Sequence, residues 1–446
     1  MIELSEQVVT VLMLGGVLTL VMTGFPIAFV IASVALIMGS ILFGGATTYH
    51  ILYSRMYSMV LSYPFLAVPL FTFMGVILQM SGIVEELYTV LYESMRGFRG
   101  GLAIVTIVFG TILAACLGVI TASVTMLTLI ALGPMVTRGY DKSIASGSVV
   151  AAGTLGILIP PSIMLVVYAP QAGLSIGQMF MAAFIPGLTL SACYIAYVGI
   201  RCYLNPRLGP PVSEDQQLKA SFLVKTIKLL KALLPPVLII LAVLGTIFLG
   251  IAPPTEAAAI GSLAAVLLAV VYRKMTWDLA KRAALETLRV SSFVLLIAGI
   301  CYAYVGVFMS AGCGEIVKNA ILSVPGGKWA SFGVVMFIVF ILGMFIEWIG
   351  IVFIIVPILS PVITALGFDP LWAGMMVCIN LQMAFMTPPM AMSVFVCQGV
   401  APPELGVTLK DIIKGVIPFI VIVAICLLLF SIFPKFITLL PSLMIK

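Results

Sequence analysis

Two stretches decide how this chain is read: GILIPPSIM at 156–164 and AFMTPPMAM at 384–392. Each sets a pair of adjacent prolines, Pro160–Pro161 and Pro388–Pro389, inside a long apolar run, and the second pair follows the first by 228 positions. A proline within a helix removes a backbone hydrogen bond and clashes with the preceding turn. Each pair therefore predicts a helix unwound halfway along, with carbonyls freed at the break. A lone proline in a membrane helix is commonly a mere kink. Two double prolines at matching positions point instead to interrupted helices.

Outward from these pairs the two halves keep matching. Pro26 in GFPIAFVIASVAL (24–36) corresponds to Pro254 in APPTEAAAIGSLA (252–264), again 228 positions on, with looser echoes at 80–82 against 309–311 and Gly100–Gly101 against Gly326–Gly327. The surroundings are those of lipid. Of the 446 residues 63% are hydrophobic and 9% charged, whereas soluble domains run at about 45–50% and 25%. Apolar runs repeatedly approach the roughly 20 residues that cross a hydrocarbon core. Their length predicts helices, because a spanning barrel shows alternating segments of about 10 residues. The fold class is thus an all-α polytopic membrane protein.

Crossings are expected at 7–23, 25–44, 63–82, 144–170 and 179–204, and again at 233–251, 254–272, 290–311, 371–397 and 412–434, with an amphipathic connector at Trp277–Leu288. The chain divides into a first repeat (1–204), a Lys-rich cytoplasmic connector (205–232) and a second repeat (233–446). Stretches 101–136 and 328–366 are too long for one crossing and too broken for two. They read as re-entrant hairpins whose tips carry Gly118, Thr121, Ala122 and Ser123, and Glu347, Trp348 and Gly350. The broken helices are 144–170 and 371–397. Five crossings per half make the second copy insert upside down, an inverted repeat of the kind that secondary transporters use to build sites at interrupted helices.

Basic residues set the orientation, since short cytoplasmic loops carry the excess of Lys and Arg. With both termini in the periplasm, all of the 22 Lys and Arg except Arg55, Lys318, Lys328, Lys435 and Lys446 fall on the cytoplasmic side. The net charge of +6 is accounted for by this topogenic pattern and implies no nucleic acid. MIELSEQ at the start has two Glu and no basic residue, so no cleaved signal is expected. The eight cysteines form no CxxC pair and read as buried packing residues. Pro325-Gly326-Gly327-Lys328-Trp329 lacks the spacing of a phosphate loop, and HExxH and GxSxG do not occur. The single histidine, His50, is assigned to a periplasmic loop. No enzyme activity and no cofactor are expected.

TGFPIAF (23–29), AVPLFTFMGVIL (67–78), GTLGILIPPSIMLVVYA (153–169), PPTEAAA (253–259), LGMFIEWIGIVFIIVPIL (342–359) and MTPPM (386–390) together resemble the large membrane subunit of tripartite ATP-independent periplasmic (TRAP) transporters, DctM-like proteins of the ion-transporter superfamily. The resemblance spans essentially the whole chain. It implies an elevator-type importer of organic acids across the bacterial inner membrane, with sodium as coupling ion, a small DctQ-like membrane subunit as partner and a DctP-like periplasmic binding protein that delivers substrate. It further implies one sodium site among Gly118, Thr121, Ser123, Gly156, Ile159 and Pro160, and a second among Glu347, Gly350, Gln382, Thr387 and Pro388. Na⁺ is a hard cation, for which hydroxyls and carbonyls suffice. The substrate would meet Ser162, Glu347, Trp348 and Asn380.

Several of these residues keep two readings. An ionisable Glu347 at membrane depth marks a functional site by default, for sodium, protons or substrate; its structural reading is an acid hydrogen-bonded at the hairpin edge. Asn380 and Gln382 either face substrate or bond helix to helix. Glu256, behind Thr255, reads as a helix-start residue, with Thr255 as the cap. A stand-alone sodium- or proton-coupled dicarboxylate or citrate carrier of the same superfamily is the alternative function. A channel is disfavoured, because the polar residues cluster at two breaks instead of lining a continuous pore.

Overall fold

The computed structural model describes residues 4–95, 97–211 and 222–444, so Arg96, Lys446 and part of the 205–232 connector, Lys219 included, lie outside the described residues. Every element among the described residues is helical, and eight helices are long and apolar enough to cross a membrane, with five shorter apolar ones beside them. Proline and glycine positions explain most of the boundaries. Pro26 precedes α2 (Ile27–Phe43), Gly44 at φ 79° ends it, and Gly82 in the left-handed region separates α4 (Ala67–Ser81) from α5 (Ile83–Ser94). Gly supplies such turns without steric cost.

The order of elements is duplicated. The first half runs α1 (Glu6–Val21), α2, α3 (Gly45–Val60), α4, α5, a helical hairpin α6 (Gly101–Leu117) and α7 (Ile120–Thr137), a broken pair α8 (Lys142–Thr154) and α9 (Ile163–Gln171), and α10 (Ile176–Leu204). The second runs α11 (Ile227–Phe248), α12 (Pro254–Val271), α13 (Trp277–Ser310), α14 (Cys313–Leu322), a hairpin α15 (Gly327–Gly343) and α16 (Trp348–Ala365), a broken pair α17 (Pro370–Ala384) and α18 (Met392–Val400), and α19 (Leu409–Ile432), with α20 (Lys435–Ser442) appended. Hairpin arms α7 and α16 keep the 228-residue offset at both ends.

Some expectations are corrected. His50 lies on helix α3 and not in a loop, because the half-polar segment GATTYHILYSRMYSMV is too weakly apolar to read as a crossing yet forms a helix against α13. Residues 277–288 are not a separate connector: they continue into the next crossing as the single 34-residue helix α13, capped by Thr276, which accepts from Leu279 N at 3.1 Å. The matching region of the first half is split at Ser62–Pro64, where Pro64 lies in a short 3₁₀ turn, and no proline interrupts 277–310. Helices α5 and α14 were not read from the sequence. Their buried faces, Ile83, Val84, Leu87 and Tyr88 in α5, follow helical spacing within mixed polar segments. Thr255 does not cap α12; Pro253 holds the N-cap position, and Glu256 in the first turn accepts from Tyr63 Oη at 2.6 Å.

The first break lies in the deepest part of the molecule. Every residue of α8 but Lys142 is buried, and so are Leu155 to Ile163. Gly147 and Gly415 let α8 and α19 touch backbone to backbone: a Cβ on Gly415 would come within 2.1 Å of the Ser143 carbonyl. At the first hairpin's base, Tyr140 Oη accepts from Leu102 N at 3.2 Å. Burial pushes that phenol up to about 12, so it stays neutral.

Candidate functional site

Each hairpin tip rests on the break of its own half. In the first half α6 ends at Leu117, Gly118 turns at φ 64°, Val119 is extended and α7 begins at Ile120. Gly118 lies on the unwound backbone: a Cβ there would sit 2.9 Å from the Pro161 carbonyl oxygen and 3.6 Å from the Ser162 Cα. The break spans Leu155–Ser162, and the Pro160–Pro161 peptide is cis. In the second half the tip is Met344–Glu347, the break spans Phe385–Ala391 with Pro388–Pro389 cis, and Met390 N donates to the Met344 carbonyl at 3.1 Å. Gly343 and Ala384 pack so closely that a Cβ on the glycine would meet the alanine methyl at 2.6 Å.

The carbonyls freed by the two breaks are treated alike. Ser162 Oγ donates to the Ile157 carbonyl, and Ser393 Oγ donates to the Phe385 carbonyl at 2.7 Å. Ile157 and Phe385 are 228 positions apart, so the same carbonyl in each half receives a serine hydroxyl from across the break. Thr154 and Gln382 share that offset and meet each other: Gln382 Nε2 lies 3.4 Å from Thr154 Oγ1 and 3.5 Å from Tyr194 Oη, all fully buried.

Several buried polar atoms lack a hydrogen-bond partner, Ser123 Oγ and Gln382 Oε1 near the breaks among them. Ser123, 1% exposed, has no hydrogen-bond partner for its hydroxyl, and a Cβ on Gly156 would lie 2.9 Å from that Oγ and 3.7 Å from the Val119 carbonyl. A buried hydroxyl without a partner costs about 1–3 kcal/mol. An oxygen of this kind, facing a glycine that leaves room and close to a backbone carbonyl, suits a hard cation.

Of the first candidate sodium set, Gly118, Ser123, Gly156 and Pro160 are brought together around the tip and break. Thr121 lines two cavities, one of which Gly118 also lines, and Ile159 packs against Gly187. Of the second set, Thr387 donates to the Met383 carbonyl at 2.9 Å and sits with Pro388 in the break, which is only partly buried. Gln382 directs its amide Nε2 at Thr154 and Tyr194 while its buried Oε1 has no hydrogen-bond partner, and Gly350 faces Ile27 and Ile346 in an apolar crevice. Among the candidate substrate residues, Ser162 is engaged with Ile157 and Asn380 donates to the Met336 carbonyl at 2.7 Å, a helix-to-helix bond. Glu347 and Trp348 line a cavity of about 260 Å³ between the two tips. Glu347 is the N-cap residue of α16, yet its side chain makes no capping hydrogen bond.

That cavity also contains Arg289, which sequence reasoning assigned only to the positive side of the membrane. No local signal could have found it, because α13 delivers it from a distant part of the chain. A second cavity of about 530 Å³ shares Val119, Thr121 and Val290 with the first and is rimmed by Gln79, Glu85 and Glu286. The two cavities thus adjoin through these shared walls, the second on the side that carries Glu286.

The profile of the family "Tripartite ATP-independent periplasmic transporter, DctM component" matches residues 14–436. The chain is 30% identical over 383 residues to the C4-dicarboxylate TRAP transporter large permease protein DctM of Pseudomonas aeruginosa, covering 85% of this chain and 86% of that protein. It is 29% identical over 436 residues to the sialic acid TRAP transporter large permease protein SiaM of Vibrio cholerae, covering 96% and 97%. Among solved structures, the Alcanivorax borkumensis YdaH transporter shares the fold, with a TM-score of 0.64 at 14% identity over 89% of each chain.

Proposed function

Because this chain belongs to the family of DctM components of tripartite ATP-independent periplasmic transporters, we propose that it imports an organic acid across the bacterial inner membrane, driven by sodium and carried by an elevator movement of the unit formed by the two hairpins and two breaks. The relatives are permeases and not enzymes, and the chain is a multi-pass membrane protein. A periplasmic binding protein and a small membrane subunit are its expected partners, in keeping with a three-part family. The relatives named for C4-dicarboxylates and sialic acid support an organic acid as cargo.

The observation that carries the sodium reading is the unpartnered Ser123 hydroxyl beside Gly156, beneath the first tip. Sodium there would bind Ser123 Oγ and freed backbone carbonyls and hold the tip on the break. The second site is proposed among Gln382, whose buried Oε1 lacks a partner, Thr387, Pro388 and the tip backbone around Met344. Ordering both tips closes the cavity in which Glu347 and Trp348 face the acid. Sodium drives uptake only if it binds the substrate-competent state better than its alternative. The charge distribution favours a frame with both termini in the periplasm and the Glu286–Arg289 rim in the cytoplasm. In that frame the second cavity lies towards the cytoplasm.

Thermal unfolding of the purified protein, with NaCl titrated against KCl, tests this reading without knowledge of the substrate. A saturable shift specific to sodium, about 2.7 kcal/mol at ~100 times the dissociation constant, is expected. Equal melting in both salts would overturn sodium coupling and move the coupling role to protonation of Glu347.

A further inference from the structure

The lining of the cavity between the tips restricts its cargo. Its apolar walls include Val119, Ile157, Phe293, Trp348, Ile349 and Met392. Arg289 is the single cation among the lining residues and Glu347 the single carboxyl, and beyond them the side chains offer only the Thr121 hydroxyl and the Trp348 indole N–H. Arg289 is available for a ligand. Its side chain is 79% exposed, and among the described residues its one ion pair is a 3.4 Å contact to Glu286, of a kind that contributes little in water. A guanidinium takes a carboxylate by two parallel hydrogen bonds.

A second carboxylate would find no cation. Glu347 repels it when ionised and gives it one hydrogen bond when protonated. A polyhydroxylated chain would be stripped of water against mostly apolar walls, and each group left without a partner weakens binding on the order of tenfold or more. The volume, about 260 Å³, falls just below the ~300–1,000 Å³ of pockets for drug-sized ligands, which suits a small acid.

Resting on the reading of this cavity as the acid site, we infer that the cargo is a monocarboxylate with an apolar body, such as a branched-chain or aryl-substituted acid. Its carboxylate meets Arg289 and its body lies against Ile157, Phe293 and Trp348. This separates the chain from relatives named for C4-dicarboxylates or sialic acid.

Trp348 supplies the readout. Purified protein in NaCl is titrated with 4-methyl-2-oxopentanoate, phenylacetate, succinate and sialic acid while tryptophan fluorescence is followed, with Trp348→Phe as the control that assigns the signal. The expected result is saturation by a branched or aryl acid with a dissociation constant at least about tenfold below those of succinate and sialic acid. Arg289→Gln, an exposed substitution, should raise that constant about tenfold and leave the sodium melting shift unchanged. Tighter binding of succinate or sialic acid, or an Arg289→Gln protein that binds like the parent, overturns the inference. So does the lack of a saturable response to all four acids in protein that still shows the sodium shift. Loss of the sodium shift with the acid preference intact would instead refute the coupling reading alone.

Discussion

Ser123→Ala should change the sign of its effect on stability when potassium is exchanged for sodium. In KCl the parent protein carries a hydroxyl that is 1% exposed and has no partner. Such a group costs about 1–3 kcal/mol, so deleting it is expected to stabilise the protein by up to about 1 kcal/mol after the small void left behind is deducted. In saturating NaCl the same oxygen is a ligand. Its loss should weaken sodium binding about tenfold, or ~1.4 kcal/mol, more than the gain seen in KCl. The variant should therefore melt above the parent in KCl and below it in NaCl, with its sodium midpoint displaced about tenfold. The assay is thermal unfolding at constant ionic strength, with NaCl replacing KCl in steps. Gly156→Ala acts on the same space, since its methyl would stand 2.9 Å from Ser123 Oγ, and should also depress the sodium response. An unchanged sodium midpoint in Ser123→Ala, or equal destabilisation in both salts, refutes the reasoning.

Other substitutions probe the scaffold around the site. Gly415→Ala places a methyl 2.1 Å from the Ser143 carbonyl and should destabilise by about 1–3 kcal/mol in either salt, read as a lower melting temperature; unchanged melting would mean that α8 and α19 separate freely. Ser162→Ala and Ser393→Ala each strip a hydroxyl donor from a carbonyl freed at a break and should each cost about 1–3 kcal/mol in KCl. A neutral result at either would show that the clasp contributes nothing. Glu347→Gln should keep its sodium midpoint within about twofold of the parent, because Glu347 faces the cavity between the tips and not the Ser123 pocket. Loss of the sodium response would instead make Glu347 a cation ligand.

Composition and run length determined that this chain is a helical membrane protein, because an apolar content of this size has no aqueous solution. The double prolines placed the unwound segments, since proline cannot donate to a helical ladder wherever it occurs. Helices α3, α5 and α14 escaped sequence reading because their segments are amphipathic and short, and hydropathy alone does not separate them from loops. The single helix α13 was missed for a related reason: its polar first turns read as a connector, and only packing against α3 and α4 shows one continuous rod. The site divides the same way. Gly118, Ser123, Gly156 and Pro160 were legible as tip and break residues, being small or helix-breaking types within apolar runs. That Gln382 joins Thr154 and not the second tip, that Asn380 bonds to Met336, and that Arg289 enters the cavity beside Glu347 depend on how distant helices are rotated against one another. Rotation about a helix axis is set by the sum of many packing contacts, a quantity that no local stretch of sequence carries.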